Sequence, residues 1–93
     1  MKAIWNDTVL AESGETIVVE GNHYFPPDSI NRKYFKESDK HTTCTWKGEA
    51  SYYTIEIGDK EYQNGAWYYP DPKEKARHIT DYVAFYREVK VTE

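Results

Sequence analysis

The sequence has a single cysteine, no excess of positive charge and no long run of apolar residues. One cysteine cannot form a disulfide within the chain, which excludes a disulfide-stapled scaffold. Twelve Lys and Arg against sixteen Asp and Glu give a net charge of −4. The broad basic surface that nucleic-acid binding needs is therefore missing, and no nucleic-acid partner is expected. No apolar stretch approaches the ~20 residues of a membrane-spanning helix, so no membrane partner is expected either.

The first residues lack the apolar segment of a signal peptide, and the cytoplasm is therefore the predicted location. Ninety-three residues are about the size of one domain. No linker, repeat or low-complexity stretch divides them, so residues 1–93 are predicted to form a single domain. We expect this domain to be a monomer or a weak homodimer.

Aromatic residues are abundant, with nine Tyr, three Trp and three Phe. Disordered chains are poor in aromatics, so a folded domain is expected although 30% of the residues are charged. Tyr and Trp bring a large apolar area together with one polar atom. A small core can therefore be built largely from their rings.

Local patterns predict a mostly β, antiparallel domain with one or two short helices. Residues 8–12 and 16–20 are predicted strands, joined as a hairpin by the turn at residues 13–14. Residues 27–40 fit either a short helical turn or an irregular loop that leads to a strand. Within them, residues 36–41 are polar and are predicted to form an exposed loop.

The second half contains the clearest strand, residues 51–57, in which apolar and polar residues alternate. The Gly-Asp pair at 58–59 predicts a hairpin turn, and the Asn-Gly pair at 64–65 predicts another. Asp71 as N-cap, followed by Pro72, predicts the start of a short helix. The alternating lysines and glutamate that follow are interpreted as a solvated face.

Residues 44–53 concentrate the candidate chemistry, because they place a thiol, an ammonium group, an indole and two phenols around a glycine. Cys44 is a candidate nucleophile if Lys47 or His41 lowers its pKa. The enzyme alternative would use Cys44, Lys47 and Glu20. A small buried thiol is the alternative interpretation. The pair of His41 and Cys44 falls short of the four ligands of a structural zinc. No metal and no cofactor are therefore expected.

An aromatic-lined pocket between the sheets is the predicted binding site, and its ligand is predicted to be small and either planar or anionic. The ligand would stack on Trp46 or Trp67, with polar contacts from Lys47 and Asn22, and Glu20 would orient Lys47. The alternative is that the same rings simply form the core. The predicted ligand-binding residues are Glu20, Asn22, Tyr24, Trp46, Lys47, Tyr52, Tyr53, Trp67 and Tyr69.

Two further functions stay open as alternatives to small-molecule binding. Nucleotidyl transfer needs carboxylates that hold magnesium and a glycine-rich phosphate loop. The acidic pairs at 37/39 and 59/61 have no such loop before them, so solvated charge explains them better. A protein-interaction module would use exposed aromatic rings to dock a partner.

Four stretches, in matching order and spacing, resemble the domain-of-unknown-function 427 family of small bacterial domains. The most specific of them contains the string Trp-Lys-Gly-x-Ala-x-Tyr-Tyr, which begins at Trp46. One departure is Thr45, which stands where the family has proline and softens the local turn. The four stretches are residues 19–26, 43–53, 66–72 and 79–86.

This resemblance implies an antiparallel, β-tent-like fold. Relatives with that fold include methionine sulfoxide reductase B and the thalidomide-binding domain of cereblon. Many of them hold a structural zinc through two Cys-x-x-Cys knuckles, which a chain with one cysteine does not supply. The resemblance therefore implies a zinc-less domain. The family also carries a nucleotidyltransferase-like catalogue label, which keeps that activity among the alternatives.

Overall fold

Nine short strands and three 3₁₀ turns make up the computed structural model, which describes residues 1–93. The strands are β1 Lys2–Trp5, β2 Thr8–Glu12, β3 Ile17–Val19, β4 Asn22–Tyr24, β5 Phe35–Cys44, β6 Gly48–Ile57, β7 Lys60–Tyr68, β8 Val83–Phe85 and β9 Lys90–Thr92. The 3₁₀ turns are Pro27–Ser29, Arg32–Tyr34 and Glu74–Ile79. No helix has the length and apolar character needed to cross a membrane. The predicted mostly β fold class is confirmed.

The strands form three antiparallel sheets. The first sheet has the order β2-β1-β9, the second pairs β3 with β4, and the central sheet has the order β5-β6-β7-β8. Successive residues of a strand point to opposite faces. Because of this alternation the central sheet contributes to two cores, one on each face.

The first core lies between the central sheet and the first sheet, and the second core lies between the central sheet, the second sheet and the last 3₁₀ turn. The first core contains Ala3, Leu10, Ala11, Phe25, Ile30, Ile55, Ala66, Val83, Phe85 and Val89. The second core contains Val19, Tyr24, Ala50, Tyr52, Tyr69, Ala76, Ile79 and Ala84. Three of the eight residues of the second core are tyrosines. This core lies on the side of the central sheet that carries the candidate site.

The hairpin predicted around residues 13–14 is wrong. β2 pairs with β1, and β3 pairs with β4. The two connecting turns have positive φ at both residues, 51° and 60° at Asn6 and Asp7, and 53° and 82° at Glu20 and Gly21. Two-residue hairpin turns of type I′ require this conformation. Asn, Asp and Gly adopt it readily, whereas Glu20 is disfavoured in it.

Two segments of the central sheet also differ from the prediction. Residues 36–41, predicted as an exposed loop, lie within β5, where the register with β6 is interrupted. The Asn-Gly pair predicted as a turn forms a bulge within β7, with φ of 57° at Asn64. A Cβ atom on Gly65 would lie 2.7 Å from the Tyr62 ring. Glycine is needed there because the bulge brings the backbone against a side chain.

The predicted short helix is the 3₁₀ turn that begins at Glu74, so the predicted start at Asp71 is wrong. Lys73 takes the N-cap position, and its side chain makes no cap hydrogen bond. The Asp71 carboxylate instead lies 3.8 Å from Arg77 Nη1. In residues 27–34 the helical alternative is the correct one, since two 3₁₀ turns lie there.

Candidate functional site

The candidate site lies where two chain reversals meet. The turn between β3 and β4 carries Glu20, and the loop between β5 and β6 carries Trp46 and Lys47. The Lys47 ammonium group donates a hydrogen bond to Oε1 of Glu20, and Trp46 Nε1 donates to Oε2 at 3.3 Å. Two donors that are adjacent in the sequence therefore hold both oxygens of one carboxylate.

Lys47 is buried, whereas its counter-ion is not. The side chain of Lys47 is 8% exposed, and that of Glu20 is 54% exposed. The ammonium nitrogen lies 5.2 Å from the centroid of the Trp46 ring and 5.7 Å from that of Tyr69. Contact with two aromatic faces offsets part of the hydration that the charge loses on burial. The cation is thus fixed by packing, while the carboxylate that faces it reaches solvent.

Backbone hydrogen bonds fix the loop that carries Trp46 and Lys47. The Lys73 amide donates to the Lys47 carbonyl at 2.9 Å, and Lys73 Nζ donates to the Thr45 carbonyl at 2.8 Å. Gly48 follows with φ of 107°, and a Cβ atom there would lie 3.4 Å from the Lys73 backbone nitrogen. Glycine is the residue that tolerates both this dihedral angle and this close approach.

Both members of the ion pair are charged at neutral pH. The hydrogen bonds from Lys47 and then from Trp46 lower the pKa of the Glu20 carboxyl. Burial lowers the pKa of the Lys47 ammonium group, but the hydrogen bond to Glu20 and the neighbouring phenols act in the other direction, and its pKa is raised overall. The pair therefore presents a permanent cation under a solvent-accessible carboxylate.

Two tyrosines form the inner wall of the site. Trp67 Nε1 donates to the Tyr24 hydroxyl at 3.1 Å, and the two rings meet edge to face at 6.2 Å. The half-buried Cys44 packs against the second core. Burial raises the pKa of Tyr24, and it raises the pKa of Tyr69 to about 12. Both phenols keep their protons at neutral pH.

We expect the domain to lose stability above pH 10. Burial raises the pKa of Tyr69 from 10.0 to about 12. A raised folded-state pKa gives stability that is complete below the unfolded pKa and is lost as the pH rises through the folded pKa. For Tyr69 the loss between pH 10 and 12 is about 2–3 kcal/mol. Urea unfolding at intervals from pH 8 to 12 measures it.

The variant Tyr69→Phe isolates this contribution. It should flatten the decline of unfolding free energy above pH 10, because one phenol fewer ionises on unfolding. The matched control is Tyr34→Phe, which changes a half-buried tyrosine away from the second core. A decline as steep in Tyr69→Phe as in the unchanged protein would show that Tyr69 is not the source.

The structure brings most of the predicted site residues together, but not all of them. Glu20, Trp46 and Lys47 are in contact, and Tyr69 lies beneath the Lys47 ammonium group. Tyr24 and Trp67 continue this group into the second core, and Asn22 follows the turn as the first residue of β4. Tyr52 lies farther along the sheet, stacked on Tyr86, and Tyr53 lies on the opposite face, stacked on Tyr68 at 4.4 Å.

The pocket itself lies at the edge of this group. Side chains of the second core fill the space between the second and central sheets. An open pocket of 380 Å³ lies outside this core. The residues that line this pocket are Trp46, Lys73, Glu74 and Lys75. Residues 73–75 are not among the predicted site residues, because alternating charges on a short helix are typical of a solvated surface. No local signal in the sequence links them to Trp46.

The other chemical groups singled out in the sequence are dispersed. No group of three or more His, Cys, Asp or Glu side chains is placed to hold a metal ion. His41 Nδ1 forms a hydrogen bond with Ser51 Oγ at 3.2 Å, and Glu37 accepts one from the Tyr68 hydroxyl at 3.2 Å. These polar side chains have protein partners of their own.

The family model described as a domain of unknown function, DUF427, and catalogued as NTP_transf_9, matches residues 1–93. The match spans the whole chain, including both loops of the candidate site. It confirms the resemblance that the Trp-Lys-Gly string indicates. No curated protein matches this sequence.

Proposed function

The chain belongs to the DUF427 family, and we propose that it binds a small planar, anionic ligand in the open pocket beside Trp46. One observation carries this proposal: Trp46 exposes 37% of its surface and lines a pocket together with Lys73 and Lys75. An exposed indole offers a flat apolar surface for stacking. Two ammonium groups beside it favour a ligand with negative charge.

The local charge of the pocket differs from that of the chain as a whole. The chain has a net charge of −4, but two of the three charged residues that line the pocket are lysines. The volume of 380 Å³ falls within the ~300–1,000 Å³ of ordinary small-molecule sites. A planar ligand on Trp46 would direct its anionic group towards these lysines or towards Lys47, with Asn22 as a further polar contact.

Amide-resolved NMR titration tests the proposal, with benzoate, benzamide and adenosine monophosphate as probes. We expect the anionic probes to shift the Trp46 indole signal and the amides of residues 73–75. Trp46→Ala should weaken binding about tenfold or more, because stacking on an aromatic side chain contributes ~1–3 kcal/mol. The control is Trp5→Phe, since Trp5 packs on Tyr62 at 5.8 Å beside the first core.

Three outcomes would contradict the proposal. The first is a set of shifts that cluster away from Trp46 and residues 73–75. The second is binding that persists unchanged in a folded Trp46→Ala variant. The third is a spectrum that stays silent to every probe at millimolar concentration, which would favour the protein-interaction alternative.

A further inference from the structure

The Glu20 side chain occupies a carboxylate-binding site that other parts of the fold build. Its Oε1 accepts from the Lys47 ammonium group, and its Oε2 accepts from Trp46 Nε1. Lys47 holds its position through other contacts as well, because its buried ammonium group lies over the Trp46 and Tyr69 rings. The loop that carries both donors is tied to Lys73 by two hydrogen bonds. The two donors are therefore preorganised for one carboxylate.

Glu20 itself is held less firmly than the donors that it contacts. Its side chain is 54% exposed, and its carboxylate accepts hydrogen bonds from Lys47 and Trp46 alone. Its φ of 53° lies in the left-handed region that the turn between β3 and β4 requires and that disfavours a glutamate. The carboxylate can leave the two donors without uncovering either core.

We propose that Glu20 is an exchangeable internal counter-ion, and that Lys47 and Trp46 bind the carboxylate of the ligand in its place. This inference rests on the proposed function, because the same Trp46 carries the planar part of the ligand. The indole N–H lies in the plane of the Trp46 ring, whereas a stacked group lies above that plane. The ligand class is therefore narrowed to acids whose carboxylate is joined to the planar group by a flexible link, so that it reaches the edge of the ring, where the chain itself shows that a carboxylate fits the two donors. Glu20 then raises the ligand concentration that binding requires, because the ligand must first displace the Glu20 carboxylate from the two donors.

The variant Glu20→Gly tests the exchange directly. Glycine keeps the left-handed turn without strain and leaves the two donors without their carboxylate. Sodium acetate is the probe, compared with sodium chloride at equal ionic strength. Acetate should raise the Tm of Glu20→Gly saturably, by about 5–10 °C at a tenfold excess over its Kd. The unchanged protein should respond less, because Glu20 competes.

Two further variants separate a specific effect from a general one. The double variant Glu20→Gly with Lys47→Met should show no acetate response beyond that of chloride. Glu15→Gly removes another exposed carboxylate and should respond like the unchanged protein. Removing the Glu20 carboxylate leaves the buried Lys47 ammonium group without its counter-ion. If Glu20→Gly does not fold for this reason, Glu20→Gln gives the readout, because its amide oxygen still accepts from Lys47 while the competing charge is gone.

The results distinguish this inference from the proposed function. Equal Tm values in acetate and chloride for a folded Glu20→Gly would overturn the exchange, as would an acetate response that survives in the double variant. Binding of benzamide at Trp46 without any acetate response would retain the planar site and remove the exchange. An acetate response without binding of any planar probe would support the carboxylate site and contradict the proposed stacking of a planar ligand on Trp46.

Discussion

Replacing Phe25 by alanine is expected to destabilise the domain by about 3–5 kcal/mol. Phe25 is fully buried, and its ring meets Phe85 edge to face at 5.7 Å. Its backbone exchanges two hydrogen bonds with Val83, at 2.8 and 2.9 Å. The ring therefore lies where the chain leaving β4 joins the central sheet. Removing it leaves a cavity at that junction, which the hydrogen-bonded backbone cannot close by moving.

Urea unfolding followed by tryptophan fluorescence measures this loss. Small domains are stable by only about 5–15 kcal/mol, so the variant should unfold at a much lower urea concentration. Phe25→Leu retains most of the volume and should cost less than Phe25→Ala. Val18→Ala changes a residue that is 56% exposed and should leave the free energy of unfolding almost unchanged. A loss below about 1 kcal/mol in Phe25→Ala would contradict the junction role.

The parts of the fold that the sequence predicted well are those whose signals are local. Residues 51–57 alternate, and the turn at 58–59 follows at once, so the pattern and the turn chemistry agree on one hairpin. The Asn-Gly pair at 64–65 predicts a hairpin turn in the same way. A residue that favours positive φ serves equally in a chain reversal and in a bulge. Whether a chain reversal or a bulge forms depends on how the partner strand pairs. A short stretch of sequence does not contain that partner strand.

The same limit applies to the candidate site. Residues 46–47 were predictable because several chemical groups cluster around them. Their contacts with Glu20 span 26 residues of chain for Trp46 and 27 for Lys47, and the contact of Lys47 with Lys73 spans 26. Those contacts arise only when the second sheet and the last 3₁₀ turn pack on the same face of the central sheet. The residues next to the pocket lysines in the sequence therefore do not distinguish these lysines from ordinary solvent-exposed charges.

Replacing Lys47 by methionine is expected to weaken carboxylate binding about tenfold or more while the fold stays intact. Methionine is unbranched and flexible, so it can fill the space between the Trp46 and Tyr69 rings. Removing one member of a buried ion pair usually costs about 3–5 kcal/mol, because the other charge stays buried without a partner. Here the remaining charge is Glu20, whose side chain is 54% exposed and stays hydrated. The stability should therefore lie within about 1 kcal/mol of that of the unchanged protein.

Titrations with 3-phenylpropionate and 3-phenylpropanamide, together with urea unfolding, measure the two effects separately. The affinity for 3-phenylpropionate should fall about tenfold or more, because a hydrogen bond to a charged group contributes ~1.5–3 kcal/mol. The affinity for 3-phenylpropanamide should not change, and Lys60→Met, at an exposed lysine, should change neither affinity. Unchanged affinity for 3-phenylpropionate would show that Lys47 serves packing alone. A stable variant without carboxylate affinity would mean that the buried lysine is retained for binding, because an apolar side chain of similar length holds the fold equally well.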